Sequence, residues 1–153
     1  MRCCFLVQWL FESQLPQKTQ EGTKMQWRNI NQLCDVVRET SFGIHKYHRN
    51  GHLEKVYENA LAHRLGKTGL HVEQQHPLKV YDEDGTILGE YFADLLVEGR
   101  LIIELKACKA VLDEHVAQLL GYLKSSRIET GLLINFGSAK LHVKKYLMTN
   151  QSH

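Results

Sequence analysis

The sequence contains few prolines, few cysteines and little net charge, and each shortage narrows what the protein can be. Two prolines and four cysteines occur in 153 residues. The cysteines, at Cys3, Cys4, Cys34 and Cys108, form no C-x-x-C pair, which favours reduced thiols in the cytoplasm and argues against a zinc site. The formal net charge of +2 permits nucleic-acid binding without demanding it, because a dedicated binder usually shows a basic stripe or a much higher pI.

No stretch of the sequence is long and apolar enough to predict a membrane span. The run from Met1 to Phe11 is too short to cross a bilayer and has no small-residue cleavage site. Residues 1–28 are therefore expected to be a poorly ordered N-terminal extension, with Met25 as an alternative start, and residues 149–153 a tail. With 43% hydrophobic and 24% charged residues, the chain has enough apolar surface for one globular domain, predicted at 29–148.

Hydrophobic periodicity predicts two helices at the start of this domain. Apolar residues at helical spacing predict a helix from Asn29 to about Tyr47, with Asn29 or Asn31 as its N-cap. The pattern resumes at Leu53 and continues to about Lys67, where glycines end it. Two helices therefore precede any strand.

Strands and one more helix make up the rest of the predicted domain. Its segments are strands at Val72–Tyr81, Thr86–Val97 and Leu101–Ala107, a helix capped by Asp113 and running to about Ser125, and a buried strand at Gly131–Phe136. Lys140 to Met148 fits either a further strand or a short terminal helix. The predicted fold is therefore α/β (α+β), with a mixed sheet of four or five strands flanked by helices in the order αβββαβ.

The second predicted hairpin carries two carboxylates and a lysine. Side chains alternate along a strand, so Glu104 and Lys106 interrupt one face of an otherwise apolar strand. A three-residue turn around Gly99 places Asp94 directly opposite Glu104, with Cβ atoms roughly 4.5 to 5.5 Å apart. Two carboxylates this close repel each other unless they share a divalent cation, so the hairpin predicts a metal site. The alternative is a half-exposed strand with a surface ion pair.

Two helix faces carry further candidates. Glu54 lies on the apolar stripe of the second helix, where the simplest explanation is that the first helical turn stabilises a carboxylate. Gln118 and Tyr122 are four residues apart on the third helix, with His115 on the same face, and an amide and a phenol there could hold a phosphate oxygen. The commoner alternative is a solvated helix face with a buried tyrosine.

Taken together, these motifs resemble those of a known family. Gly51-His-Leu-Glu54-Lys-Val-Tyr57 matches a GxxExxY signature, and the text around Asp94, Glu104 to Lys106, Gln118 to Tyr122 and Gly131 to Gly137 is similar to the GxxExxY proteins of the PD-(D/E)xK nuclease superfamily. The resemblance covers about Asn29 to Leu147. It implies a restriction-endonuclease-like core.

The resemblance also implies roles for individual residues. It makes Asp94 and Glu104 the metal-binding acids, Lys106 the catalytic lysine and Glu54 the helix acid. Ala93 stands where the proline of the superfamily's name would be. The residues expected to bind substrate or phosphate are Gln118, Tyr122, His115, Tyr57, Lys144 and Lys145.

The expected chemistry is hydrolysis of a phosphodiester in DNA. Mg²⁺ or Mn²⁺ held by Asp94, Glu104 and the backbone carbonyl of Leu105 would polarise the phosphate and activate a water that Lys106 orients. Two other hypotheses stay open: a nuclease-fold module that binds nucleic acid or protein with little hydrolysis, and a structural member in which these charges form an ion cluster. No membrane partner is expected, and a homodimer is possible.

Overall fold

The computed structural model describes residues 29–149, so the predictions for 1–28 and for most of the short tail lie outside the described residues. The described part contains three helices and five strands in one sheet. In chain order these elements are α1 (Ile30–His48), α2 (Glu54–Lys67), β1 (Val72–Tyr81), β2 (Ile87–Val97), β3 (Leu101–Lys106), α3 (Asp113–Ser126), β4 (Thr130–Asn135) and β5 (His142–Leu147).

The five strands lie in the sheet in the order in which they occur along the chain. Strands β3 and β4 are parallel, and the other three neighbouring pairs are antiparallel. A parallel pair needs a crossover, which α3 provides here. The mixed sheet expected from the sequence is confirmed, and so is the class with helices on both of its faces.

Two hydrophobic cores hold the three layers together. One face of the sheet packs against α1 and α2 through a cluster that includes Leu33, Tyr57, Leu61, Ile103 and Phe136. The opposite face packs against α3 through a smaller cluster that includes Leu96, Ile102, Leu119, Tyr122 and Leu133. Strand β4 is buried along its whole length, as expected of a central strand between two layers.

The turn between β2 and β3 has the predicted length of three residues. The N–H of Arg100 donates to the carbonyl of Val97 at 3.1 Å. Glu98 and Gly99 have φ of 53° and 62°, in the left-handed region that tight hairpin turns require. The ladder then pairs Val97 with Leu101 and Leu95 with Ile103, which fixes the register of β2 against β3.

Most element boundaries agree with the predicted ones to within one or two residues. The structure also decides one open alternative and corrects one predicted helix cap. The residues from His142 to Leu147 form strand β5 rather than a helix, because their backbone pairs with β4. Asp113 is the first residue of α3, not its cap; the N-cap is Leu112, whose N–H is accepted by the His115 side chain at 3.1 Å. No helix within residues 29–149 is long and apolar enough to cross a membrane.

Candidate active site

The β2–β3 hairpin positions the first acid of the site. Continuing the register from the Leu95–Ile103 pair places Asp94 opposite Glu104, as the sequence predicts. The regular ladder between the strands stops there, and Asp94 Oδ2 instead accepts the backbone N–H of Leu105 at 2.7 Å. The carboxylate therefore bonds to the neighbouring strand, which fixes its position at the carboxyl end of β3.

Glu104 and Lys106 lie on the face of β3 that packs against α3. Glu104 is 3% exposed and receives a hydrogen bond of 2.7 Å from Lys106 Nζ to its Oε1. Its other oxygen, Oε2, is buried and has no hydrogen-bond partner. A buried carboxylate oxygen without a partner costs free energy, about 1–3 kcal/mol or more for a charged group, so this atom marks a place where a cation would be stabilised.

The charged groups of the site shift one another's pKa values. Burial, followed by the nearby Asp94 carboxylate, raises the pKa of Glu104 to about 7 despite the hydrogen bond from Lys106. Burial also raises the pKa of Asp94, although the Leu105 N–H and Lys106 partly offset it. Desolvation alone would lower the pKa of Lys106, but the hydrogen bond and charge of Glu104 raise it above its usual value. Lys106 is therefore an ammonium donor at neutral pH, not a base.

Glu54 reaches the same site from the other layer. It is the first residue of α2, where free backbone N–H groups favour a carboxylate, so the simple explanation from the sequence fits its position. Burial raises the pKa of Glu54, Lys106 lowers it and Asp94 raises it, which places this carboxylate within electrostatic range of both. A hydrogen bond from the Ala107 backbone also stabilises its charged form.

Gln75, which the sequence analysis did not single out, connects Asp94 to the buried Glu58 of α2. Gln75 of β1 donates its side-chain amide to Asp94 Oδ1 at 3.3 Å and to Glu58 Oε2 at 3.0 Å. Glu58, one turn after Glu54, is 3% exposed and also accepts hydrogen bonds from Lys55 and Gln74. The spacing of Glu54 and Glu58 was visible in the sequence, but the contact with Gln75 depends on how β1 packs.

Two residues of α3, Gln118 and Tyr122, lie beside the acids of the hairpin. Gln118 Nε2 donates to the Tyr122 hydroxyl at 2.8 Å, as their spacing suggests. Burial, followed by the charge of Glu104 and with a smaller effect from Asp94, raises the pKa of Tyr122, so its phenol is close enough to feel both carboxylates. The pair therefore adjoins the Asp94–Glu104–Lys106 cluster.

His115 lies one turn before Gln118 on α3, on the wall of an open cleft. The cleft runs between α3 and the outer half of the β1–β2 hairpin and has a volume of about 990 Å³. Gln118 and Tyr122 belong to its lining, whereas Asp94 and Glu104 do not. The cleft thus begins where the acidic cluster ends.

The structure places Tyr57 away from the acids. It is fully buried, and its ring stacks on Phe136 with centroids 4.5 Å apart. Its hydroxyl donates to the Arg49 carbonyl at 2.6 Å and accepts the His52 N–H at 3.2 Å. In this arrangement Tyr57 fixes the loop before α2 and presents no free group to a phosphate.

The two late lysines lie on the edge strand β5 and point to different surroundings. Lys145 Nζ donates to Asn31 Oδ1 of α1 at 2.6 Å, whereas Lys144 Nζ lies 5.2 Å from the centre of the Tyr146 ring. Strand β4 separates β5 from β3. The structure therefore does not bring Lys144 and Lys145 into the acidic cluster, and a phosphate contact by either stays a prediction.

The loop after Lys106 is held by residues of β4. The Asn135 side chain, 1% exposed, accepts the Cys108 N–H at 3.1 Å and donates to the Cys108 carbonyl at 2.9 Å. Gly137 lies so close that a Cβ there would be 2.2 Å from the Cys108 nitrogen. These contacts determine the direction in which the chain leaves β3.

The donor chemistry of the cluster fits a hard divalent cation. Asp94, Glu104 and Glu54 offer carboxylate oxygens, and the unpartnered Oε2 of Glu104 is available to one. Among the described residues, however, no three His, Cys, Asp or Glu side chains already converge as a ready set of ligands. Glu104 Oε1 is bonded to Lys106, and Asp94 Oδ2 to Leu105 N–H, so binding a metal would require small side-chain adjustments.

Comparisons with known proteins found a matching family model and a solved structure of similar fold. A family model described as the PD-(D/E)XK nuclease superfamily matches residues 31–146. The crystal structure of SSO0001 is similar in fold, with a TM-score of 0.52 and 19% sequence identity over 61% of this chain. The matched part spans 50% of that chain, about half its length. No curated protein matches the chain.

Proposed function

Because the chain belongs to the PD-(D/E)XK nuclease superfamily, we propose that it is a nuclease that requires a divalent metal and hydrolyses phosphodiester bonds in DNA. The observation that carries the proposal is the Glu104 carboxylate. It is buried beside a second acid, bonded through one oxygen to Lys106, and left with an unpartnered second oxygen. This arrangement is costly in a metal-free protein, and a cation offsets its cost.

We propose Asp94, Glu104 and the Leu105 backbone carbonyl as the ligands of Mg²⁺ or Mn²⁺, with Glu54 holding a second ion or an outer water. When bound, the ion would supply Lewis-acid polarisation of the phosphate and activation of the attacking water. The Leu105 N–H, bonded to Asp94 Oδ2, fixes that carboxylate before any metal arrives. The chain therefore holds this carboxylate in place without an ion, and metal binding would require its hydrogen bonds to adjust.

Lys106 has the role of a fixed positive charge. Its raised pKa keeps the ammonium protonated at neutral pH, and its side chain is only 14% exposed. From this position the ammonium can orient the attacking water through a hydrogen bond and stabilise the negative charge that develops on the phosphate. Gln118 and Tyr122 extend the polar surface next to the acids, where an amide and a phenol suit phosphate oxygens.

A second candidate function is a nuclease-fold module that binds nucleic acid or protein with little hydrolysis. The observation that favours it is that Lys106 and the Leu105 N–H already occupy one oxygen of each acid. A metal held by the remaining oxygens alone would bind without the full ligand set that hydrolysis needs. The two functions therefore differ in whether cleavage follows the binding of metal and DNA.

The test is a cleavage assay with labelled single- and double-stranded DNA in Mg²⁺, Mn²⁺ or EDTA. We expect cleavage in Mg²⁺ or Mn²⁺ and none in EDTA. Lys106→Ala should reduce the rate by roughly 10²-fold or more, the size expected when one electrostatic group is lost. Cleavage that survives in this variant would contradict the role assigned to Lys106.

Calorimetry with Mn²⁺ then separates the enzyme from the binding module and from a structural ion cluster. Asp94→Asn should abolish Mn²⁺ binding, whereas Lys145→Ala, on the edge strand and bonded to Asn31, is the matched control and should bind as the native protein does. Mn²⁺ binding without cleavage of any DNA would favour the module. An absence of binding to the native protein would leave only a structural role.

A further inference from the structure

The cleft beside α3 has the side chains of a site for unpaired bases. Two tyrosines on its hairpin wall, Tyr81 and Tyr91, are 56% and 52% exposed. A half-exposed aromatic ring on a concave surface costs free energy in water, and a base stacked on it would offset that cost. We propose that this cleft binds a single-stranded segment of nucleic acid and leads it to the acidic cluster, an inference that rests on the proposed nuclease function.

Tyr122 connects the cleft to the acids. Its ring lies 6.0 Å from that of Tyr91, tilted by 44°, so the two rings pack together between α3 and β2. Its hydroxyl end lies within the electrostatic influence of Glu104 and Asp94 and is bonded to Gln118. A strand whose base stacks on Tyr91 would therefore bring its next phosphate toward Gln118 and the catalytic acids.

The charges of the cleft favour single strands over duplex. Lys124 and Arg127 line it, but so do Asp82 and Glu114, so their formal charges cancel. His115 Nε2, which also lines the cleft, lies 3.8 Å from Glu114 Oε1. A duplex presents mainly phosphates and hides the faces of its bases, whereas a single strand exposes every base for stacking.

The size of the cleft also suits a segment of single-stranded nucleic acid. A volume of about 990 Å³ lies at the upper end of the roughly 300–1,000 Å³ found for small-molecule pockets. The cleft is open to solvent, as a chain-like ligand requires, and its lining includes Gln118 and Tyr122 beside the acids. Stacking does not distinguish DNA from RNA, so both strands are probes in the test.

The test measures binding of fluorescent single-stranded and hairpin duplex oligonucleotides to the full chain in EDTA, where no cleavage occurs. We expect the single strand to bind more tightly than the duplex. Tyr91→Ala should weaken binding of the single strand roughly five- to a hundred-fold, the range for loss of one base–aromatic stack, and Tyr91→Phe should not. With at most three cations in contact, Lys124 and Arg127 of the cleft and Lys106 of the acidic cluster, the salt slope should be shallow, no steeper than about −2.1.

Two controls keep the outcomes distinct. Tyr47→Ala removes a more exposed ring, 77% exposed, from α1 and outside the cleft, and should leave binding unchanged. Tyr91→Phe is the second control: it keeps the ring that stacks and should bind the single strand as the native protein does. Equal affinity for duplex, or equal losses in Tyr91→Ala and Tyr47→Ala, would overturn the proposal. If the native protein bound the single strand but cleaved nothing with any metal, the nuclease function would be refuted and the proposed binding cleft would stand.

Discussion

Gln75 donates its side-chain amide to Asp94 at 3.3 Å from a backbone that lies in the left-handed region, with φ of 51°. Such a conformation in a non-glycine residue within a strand costs about 1–3 kcal/mol. The same amide donates to the buried Glu58 at 3.0 Å, so one side chain connects α2, β1 and β2. Backbone strain is thus located at the residue that holds the first acid of the site.

Replacing Gln75 should separate stability from metal binding. Gln75→Gly relieves the strain of a positive φ and removes the amide, so we expect unchanged or higher thermal stability together with weaker Mn²⁺ binding. Gln75→Asn tolerates the same backbone but is one methylene shorter, and it should lose Mn²⁺ affinity in the same way. Thermal melts and calorimetry measure the two quantities on each variant.

Gln74→Ala is the matched control for Gln75. Gln74 donates to the same Glu58, at 3.0 Å, and has no hydrogen bond to Asp94. We expect this variant to lose some stability and to keep Mn²⁺ binding, the reverse of Gln75→Gly. If both variants lost stability and affinity in parallel, Gln75 would be a structural residue only.

The raised pKa of Glu104 predicts how stability depends on pH without metal. Its carboxyl titrates at 4.5 when unfolded and at about 7 when folded, so the folded state disfavours the charged form. The contribution of Glu104 to the free energy of unfolding is therefore present in full below pH 4.5. It is lost as the pH rises from 4.5 to 7, by up to about 3 kcal/mol. The raised pKa values of Asp94 and Glu54 act in the same direction.

Urea unfolding in EDTA at pH 5 and pH 7.5 measures this loss. Glu104→Gln cannot ionise, so we expect it to be more stable than the native protein at pH 7.5, with a smaller difference at pH 5. Adding Mn²⁺ at pH 7.5 should stabilise the native protein, by about 2.7 kcal/mol at a hundred times the Kd, and not the variant. A native protein that gained stability over Glu104→Gln as the pH rose would show that the carboxylate is favourably paired.

The sequence predicted the parts of the site that depend on local structure. The three-residue turn and the alternation of β3 were enough to put Asp94 opposite Glu104 and to place Glu104 and Lys106 on one face, because hairpin register is set by the turn. Helical spacing likewise predicted that Gln118 and Tyr122 share one face of α3, where the two side chains are hydrogen-bonded. The family was also predicted and is confirmed at the level of the superfamily.

Contacts between distant elements were not predictable in this way. Gln75 reaches Asp94 and Glu58 only because β1 leaves its regular conformation at that residue, and no pattern in the sequence signals a positive φ at a glutamine. The alternation from Lys140 onward fitted both a strand and a helix, and pairing with β4 decides between them. Tyr57 carries a family signature, yet its burial against Phe136 is a tertiary contact.

The close approach of Gly137 to the loop after β3 predicts a large cost for adding one methyl group. A Cβ would lie 2.2 Å from Cys108 N and 2.4 Å from Ala107 C, both backbone atoms that cannot rotate away. Gly137→Ala should therefore destabilise the protein by roughly 3 kcal/mol or more and weaken Mn²⁺ binding as the loop shifts. Gly121→Ala, in α3 with no atom near the new Cβ, should instead add up to about 1 kcal/mol.

The burial of Tyr57 predicts a loss of stability with no loss of activity. Tyr57→Phe keeps the ring that stacks on Phe136 but removes the hydroxyl that bonds to the Arg49 carbonyl and the His52 N–H. Two backbone groups then lose their partner, and we expect a cost of about 1–3 kcal/mol in urea unfolding. Cleavage per folded molecule should stay within about twofold of the native rate, since the hydroxyl faces the loop before α2. A hundredfold fall in kcat without a change in stability would instead return Tyr57 to the phosphate-binding role that its family signature suggests.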